Sequence, residues 1–140
     1  MKIGFTGTQR GTTELQIRSL REILENMTGE LHHGDCVGAD AEAHDVARSF
    51  GLRVVVHPPI KSGKRAWKKG DETREPREYL ERNGEIVLET EMLVATPGEF
   101  QEQLRSGTWS TVRRARRMGG HIVIVFPDGS VRREGELCLL

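Results

Sequence analysis

Arg105-Ser106-Gly107-Thr108-Trp109-Ser110-Thr111, set between the apolar run Met92 to Ala95 and the helix-like Val112 to Met118, decides how this chain is read. A Gly-Thr-x-Ser-Thr turn between a buried strand and a helix offers open backbone N–H groups and the hydroxyls of Thr108, Ser110 and Thr111 at a helix N-terminus. That is where a phosphate is best held, because the amides point outward and the helix dipole favours negative charge. The stretch predicts a strand–loop–helix unit with an anion site at its turn.

Working outward, the same alternation recurs along the whole chain. Ile3 to Thr6 reads as a strand. Leu15, Leu20, Ile23, Leu24 and Met27 then recur at helical spacing behind the cap-like Thr12-Thr13-Glu14. Glu30 to His33 is a short second strand, Asp40 to Phe50 a helix ended by Gly51, and Leu52 to Val56 a β-branched third strand stopped by Pro58-Pro59. The polar stretch from Ile60 to about Pro76 lacks a period and is expected to be a long functional loop or lid. Tyr79 to Glu89 reads as a helix, Glu91 to Thr96 as a strand, Trp109 to Met118 as a helix and His121 to Phe126 as a strand. A turn at Asp128-Gly129-Ser130 leads to a last short strand, Val131 to Arg133. Strands alternating with helices imply an α/β fold, a Rossmann-like three-layer sandwich with a mainly parallel sheet of five or more strands.

Length and charge narrow the function classes. The 140 residues, 36% hydrophobic and 30% charged, fit a single domain over residues 1–140 with a core of its own. Its 21 basic and 21 acidic residues cancel, so no global field draws nucleic acid or a membrane surface. Local basic clusters remain at Lys61, Lys64, Arg65, Lys68 and Lys69, and at Arg105, Arg113, Arg114, Arg116 and Arg117. The longest apolar runs are far too short for a membrane span. Cys36 and Cys138 lack metal-type spacing, and Met1 leads directly into Lys2-Ile3-Gly4-Phe5, so a reduced, cytoplasmic protein is expected. The apolar end Leu137-Cys138-Leu139-Leu140 is compatible with burial against the sheet or a partner.

Parallel sheets bind ligands beyond the carboxyl ends of their strands, which selects a short list of loops. They are Gly7-Thr8-Gln9-Arg10-Gly11, Gly34-Asp35-Cys36-Val37-Gly38-Ala39-Asp40, His57-Pro58-Pro59 and Pro97 to Thr108. The spacing of the first of these loops matches neither the dinucleotide fingerprint nor the P-loop. Gly34 and Gly38 permit close backbone approach, while Asp35 and Asp40 supply acceptors for ribose hydroxyls or a helix cap. Arg82 can pair with phosphate and Asn83 can hydrogen-bond backbone or ligand, unless both belong to a solvated helix start. Trp67 and Trp109 can stack on a base or serve as packing. No metal is expected at His32, His33, Asp35 and Cys36, because neighbouring strand residues point to opposite faces.

Thr6-Gly7-Thr8-Gln9-Arg10, the Gly34-to-Asp40 loop with Ala43 and Ala47 behind it, Pro58, Arg82-Asn83 and Gly107-Thr108 together resemble the SLOG superfamily. That group includes the LOG phosphoribohydrolases, DNA-processing protein A, and small phage and bacterial proteins related to YspA and YpsA. The resemblance covers nearly the whole chain. It implies a Rossmann-like domain holding a nucleotide or nucleotide-derived ligand, with phosphate at Gly107, Thr108, Ser110 and Thr111 and with Gly7, Thr8 and Arg10 beside it. Asp35 or Asp40 would then hold ribose, and Arg82 and the Lys61-to-Lys69 loop would close over the anion. Trp109 and Asn83 complete the expected contacts. A homodimer is implied by resemblance alone.

LOG enzymes carry Pro-Gly-Gly-x-Gly-Thr-x-x-Glu, whose glutamate takes part in cleaving base from ribose phosphate. Here an insertion separates Pro97-Gly98 from Gly107-Thr108, and Thr111 stands at the glutamate position. A threonine supplies no carboxylate for acid–base work or for an oxocarbenium-like centre, and general acid–base catalysis alone contributes about 10²- to 10⁴-fold. A sensor or sponge that binds its ligand without cofactor is therefore favoured. Glu99 or Glu102 keeps the phosphoribohydrolase reading open as a replacement carboxylate. A single-strand DNA-binding module through Lys61 to Lys69 and Trp67 is the other alternative, weighed down by zero net charge and 5% aromatic content.

Overall fold

The computed structural model describes residues 1–135; the Leu137-to-Leu140 end lies outside the described residues. Seven strands and four helices follow one another as β1 (Lys2–Gly7), α1 (Glu14–Glu25), β2 (Glu30–His33), α2 (Ala39–Ser49), β3 (Arg53–Val56), β4 (Glu72–Thr73), α3 (Tyr79–Glu89), β5 (Met92–Thr96), α4 (Gly107–Arg117), β6 (His121–Val125) and β7 (Val131–Glu134). They form one sheet in the order β4-β3-β2-β1-β5-β6-β7. All pairings are parallel except β6 with β7, where the Asp128-Gly129-Ser130 turn folds the chain back. This is the Rossmann-like α/β sandwich that the strand–helix alternation predicts.

The period-2 alternation of the strands sorts two cores. Ile3, Phe5, Leu31, Val54, Val56, Val94 and Val123 face α1 and α2, where Leu20, Leu24, Ala43 and Ala47 meet them. Leu93, Ala95, Ile122 and Ile124 face the other way, onto Trp109, Val112 and Ala115 of α4. β5 and β6 are apolar at every interior position because both faces are covered. The strand order reverses between β1 and β5, so the loops leaving those two strands diverge to opposite faces and open a crevice.

Local chemistry sets the helix starts that border this crevice. Thr13 and Gln16 form a reciprocal capping box on α1. The buried Gln16 amide also donates to the carbonyls of Pro97 at 2.7 Å and Val125 at 3.0 Å, tying the start of α1 to the ends of β5 and β6. Gly38, at φ +88°, begins α2 against the Gln9 carbonyl, a conformation and an approach that a side chain would obstruct. Ser106 caps α4 by accepting the Trp109 N–H at 3.2 Å.

The stretch from Ile60 to Pro76 is not the lid the sequence suggests. Asp71 exchanges backbone and side-chain bonds with Val54, and Arg74 donates its N–H to the Val56 carbonyl. The segment thereby adds β4 to the sheet edge, and it is pinned further by bridges of Cys36 with Arg65 and of Pro59 with Arg77. The pairing partners lie far away in sequence, so no local period announces them.

Candidate functional site

A cleft of about 680 Å³ opens at the β1–β5 switch point. Its floor comes from the end of β1 and the loop behind it, Phe5 to Arg10; one wall is the first turn of α4 and the other the start of α3, with Tyr79, Leu80, Arg82, Asn83 and Ile86. Gly34, Cys36, Asp40, Gly98 and Glu99 line it as well.

The α4 wall has the character of an anion seat. Gly107 and Thr108 occupy the first turn, before the helical ladder of hydrogen bonds begins, and their amides meet no acceptor among the described residues. Ser106, Thr108 and Thr111 add hydroxyls on the cleft side, although the Thr111 hydroxyl donates back to the Gly107 carbonyl at 2.9 Å. Lys64 and Arg105 reach the cleft and have no ion-pair partner among the described residues. Two cations and a helix dipole thus face one cavity, an arrangement suited to negative charge.

The expected ligand residues divide under this geometry. Gly7, Thr8, Arg10, Gly34, Asp40, Arg82, Asn83, Gly107, Thr108 and Thr111 all line the cleft, as does Glu99. Asp35, Gly38, Trp109, Ser110 and Glu102 do not. Asp35 is fully buried with φ +56°; it accepts from Arg65 Nε at 2.8 Å and the Lys68 N–H at 2.9 Å, so its carboxylate anchors the 60–76 segment instead of meeting ribose. Trp109 is fully buried in the α4 core, and its indole N–H donates to Glu99 at 3.0 Å, which removes it as a base-stacking platform. Trp67 is exposed but stacked under the Arg65 guanidinium at 3.8 Å. Glu102 pairs with Arg113 and Arg116 along α4.

Arg82 is a buried strut and leaves little of its charge to a guest. It donates to the Gly34 carbonyl, to the His57 carbonyl at 3.3 Å and to Asn83 Oδ1 at 2.7 Å. Gly34 is required beside it, because a Cβ there would run into the guanidinium. Burial pushes the Asp40 carboxyl up to about 6, against the pull of Arg82 and of the Cys36 N–H that it accepts at 3.1 Å. Burial likewise raises the Cys36 thiol, helped by the nearby Asp40, so this cysteine is a packing residue and not a thiolate nucleophile. Glu99 is held by Arg10 at 3.1 Å and by the Trp109 indole, which presents a positioned carboxylate at the cleft mouth.

Some residues of the cleft carry little sequence signal. Phe5, Leu80 and Ile86 supply an apolar lining that reads in sequence as ordinary core. Ser106 is more legible: a serine before Gly-Thr at a helix start is the preferred N-cap.

No protein-family model matches this sequence, and no curated protein is significantly similar to it. Solved structures do match. The molybdenum cofactor binding protein of the phototrophic bacterium Rippkaea orientalis superposes with a TM-score of 0.68 at 16% identity, over 89% of this chain and 76% of that one. A structural-genomics target, TM1055, gives 0.64 at 14% identity over 86% of this chain and 71% of that one. DNA processing protein A from Streptococcus pneumoniae gives 0.61 at 15% identity, over 88% of this chain but 49% of the other. The fold is of the SLOG type. At these identities the SLOG likeness concerns the backbone arrangement, and the chemistry of the cleft has to be argued from its own residues. No helix among the described residues is long and apolar enough to cross a membrane.

Proposed function

We propose that this SLOG-type domain binds a phosphorylated nucleotide or nucleotide-derived ligand as a sensor or sponge. The observation that carries the reading is the α4 N-terminus: the Gly107 and Thr108 amides and the cations Lys64 and Arg105, none with a partner among the described residues, face a 680 Å³ cleft. The volume suits a mononucleotide-sized guest. Tyr79 and Leu80, the accessible apolar side chains of the cleft lining, offer a base a wall to lie against. That the similarly folded Rippkaea orientalis protein is a molybdenum cofactor binding protein is in keeping with a ligand cleft in this fold.

The test is native mass spectrometry and thermal unfolding against nucleoside monophosphates, NAD derivatives and cyclic nucleotides. A ligand at about 100 times its Kd stabilises by about 2.7 kcal/mol. The shift should shrink in Thr108→Ala and in Arg105→Ala; a panel without any effect, or a shift unchanged in both variants, overturns the reading.

A second reading, nucleotide N-glycosidic hydrolysis, is favoured by Glu99. It is the acid that lines the cleft with its carboxylate oriented by two donors, whereas Glu102 is engaged elsewhere. Release of free base and ribose phosphate by the wild type, lost in Glu99→Gln, would replace the sensor with a phosphoribohydrolase. Nucleic-acid binding is less well supported, because Arg65 and Lys68 of the basic run are paired with Asp35 and Asp45.

A further inference from the structure

Outside the cleft lining, against α3, two fully buried histidines lie in contact. His32 on β2 and His57 just past β3 both point to the α3 face, each one residue on from the oppositely directed, core-facing Leu31 and Val56. His32 Nε2 lies 2.8 Å from Glu30 Oε1, and His57 Nδ1 lies 2.7 Å from Glu85 Oε1. The inner nitrogens, His32 Nδ1 and His57 Nε2, are 2.7 Å apart.

The proton count of this chain is informative. An ionised carboxylate only accepts, so the outer nitrogens donate to Glu30 and Glu85. A neutral imidazole has a single N–H, and the two inner nitrogens would then meet lone pair to lone pair. A positive centre belongs between them: a shared proton or a metal ion.

A third donor group stands beside the gap. Glu89, one helical turn beyond Glu85 on α3, brings a carboxylate oxygen to 4.0 Å from His32 Nδ1, and the three ligand atoms all lie within 4.8 Å of one another. We propose that His32 Nδ1, His57 Nε2 and the Glu89 carboxylate form a binding site for a divalent transition-metal ion of the Zn²⁺ class, with a further position left for water.

Imidazole and carboxylate donors without thiolate suit Zn²⁺ and Co²⁺. Bonds of about 2.0–2.1 Å in a tetrahedron set ligand atoms roughly 3.3 Å apart, so the histidines would part by about half an ångström while Glu89 would close by about 0.7 Å on His32 and by up to about 1.5 Å on His57. Glu30 and Glu85 already occupy the position behind each imidazole where metal-binding histidines keep a carboxylate partner. The surrounding charge is also suitable. The guanidiniums of Arg53, Arg74 and Arg77 are outnumbered by the carboxylates of Glu30, Glu72, Glu85 and Glu89 that they pair with.

The experiment is titration of the dialysed full chain with Co²⁺ alone, followed by Zn²⁺. One Co²⁺ per chain should give a visible d–d absorption that Zn²⁺ displaces, and Zn²⁺ should raise the thermal midpoint up to one equivalent. Glu89 is partly exposed, so Glu89→Gln should fold and weaken Co²⁺ at least tenfold; His57→Gln should abolish the absorption. Glu85→Gln, acting through His57, should cost 10- to 100-fold in affinity. Absence of the absorption in the wild type, or its survival in both Glu89→Gln and His57→Gln, overturns the site and leaves the shared proton as the occupant of the gap.

Discussion

The carboxyl edge of the sheet has two halves of similar composition and opposite character. Beyond β2 and β3, Asp35, Asp40, Arg82 and Arg65 are buried or nearly so, and each polar group meets a partner within the protein. Beyond β1 and β5, the α4 amides and Arg105 face the cleft without one among the described residues. The difference teaches that glycine, acid and arginine at a strand end are equally the signature of an internal brace and of a ligand seat. What separates them is whether another segment returns to cover them, here residues 60–76.

If the first half is a brace, breaking it should cost stability. Asp35→Ala leaves Arg65 beside a buried gap and should lower the unfolding free energy by about 3–5 kcal/mol, read from urea denaturation. An unchanged midpoint would dissolve the contrast between the halves. Next in size is a pH effect. The Asp40 carboxyl titrates at about 6 in the folded chain and near 3.9 unfolded, so the stability it lends is present below about pH 4 and lost as pH rises through 6. Relative to Asp40→Asn, the wild type should lose about 2–3 kcal/mol across that window.

The histidines sharpen the same point with the opposite sign. His33 Nδ1 accepts the Asp35 N–H at 2.9 Å, so its proton sits on Nε2 and is donated to His44. Burial, aided by His44, holds His33 well below its ordinary value, and stability present above about pH 6.5 is lost as pH falls. His33→Gln should lessen the acid sensitivity of the thermal midpoint between pH 7 and 5. In the second half the effects should be smaller and of another kind. Ser106→Ala removes a cap and should cost about 1 kcal/mol. Arg105→Ala should stay within about 0.5 kcal/mol in stability while lowering nucleotide affinity roughly tenfold, as loss of a charged hydrogen bond would.

The sequence was most legible where local rules act alone. Glu30–His33 and Tyr79–Glu89 form with the bounds read from the sequence, and the Gly107-Thr108 turn opens a helix as its composition requires. It was least legible where partners are distant. Trp109 opens a helix either way, and only the packing of β5 and β6 makes it core. Asp35 reads as a free acceptor until Arg65 and Lys68 arrive from some thirty residues away. The argument from strand alternation correctly sends His32 and His33 to opposite faces, yet it is silent on His57, which joins His32 from the next strand.

The Gln16 amide holds both the Pro97 and the Val125 carbonyl, and Ser106 fixes the start of α4. The cleft-bordering stretch between Pro97 and Ser106 therefore runs between two anchored posts, held along its way only by side-chain contacts such as those of Glu99 and Glu102. Doubling such a span costs only about 0.6 kcal/mol in closure entropy. Descendants of this chain can lengthen, shorten or rewrite that span and so change what the cleft accepts, while the posts and the sheet behind them inherit unchanged.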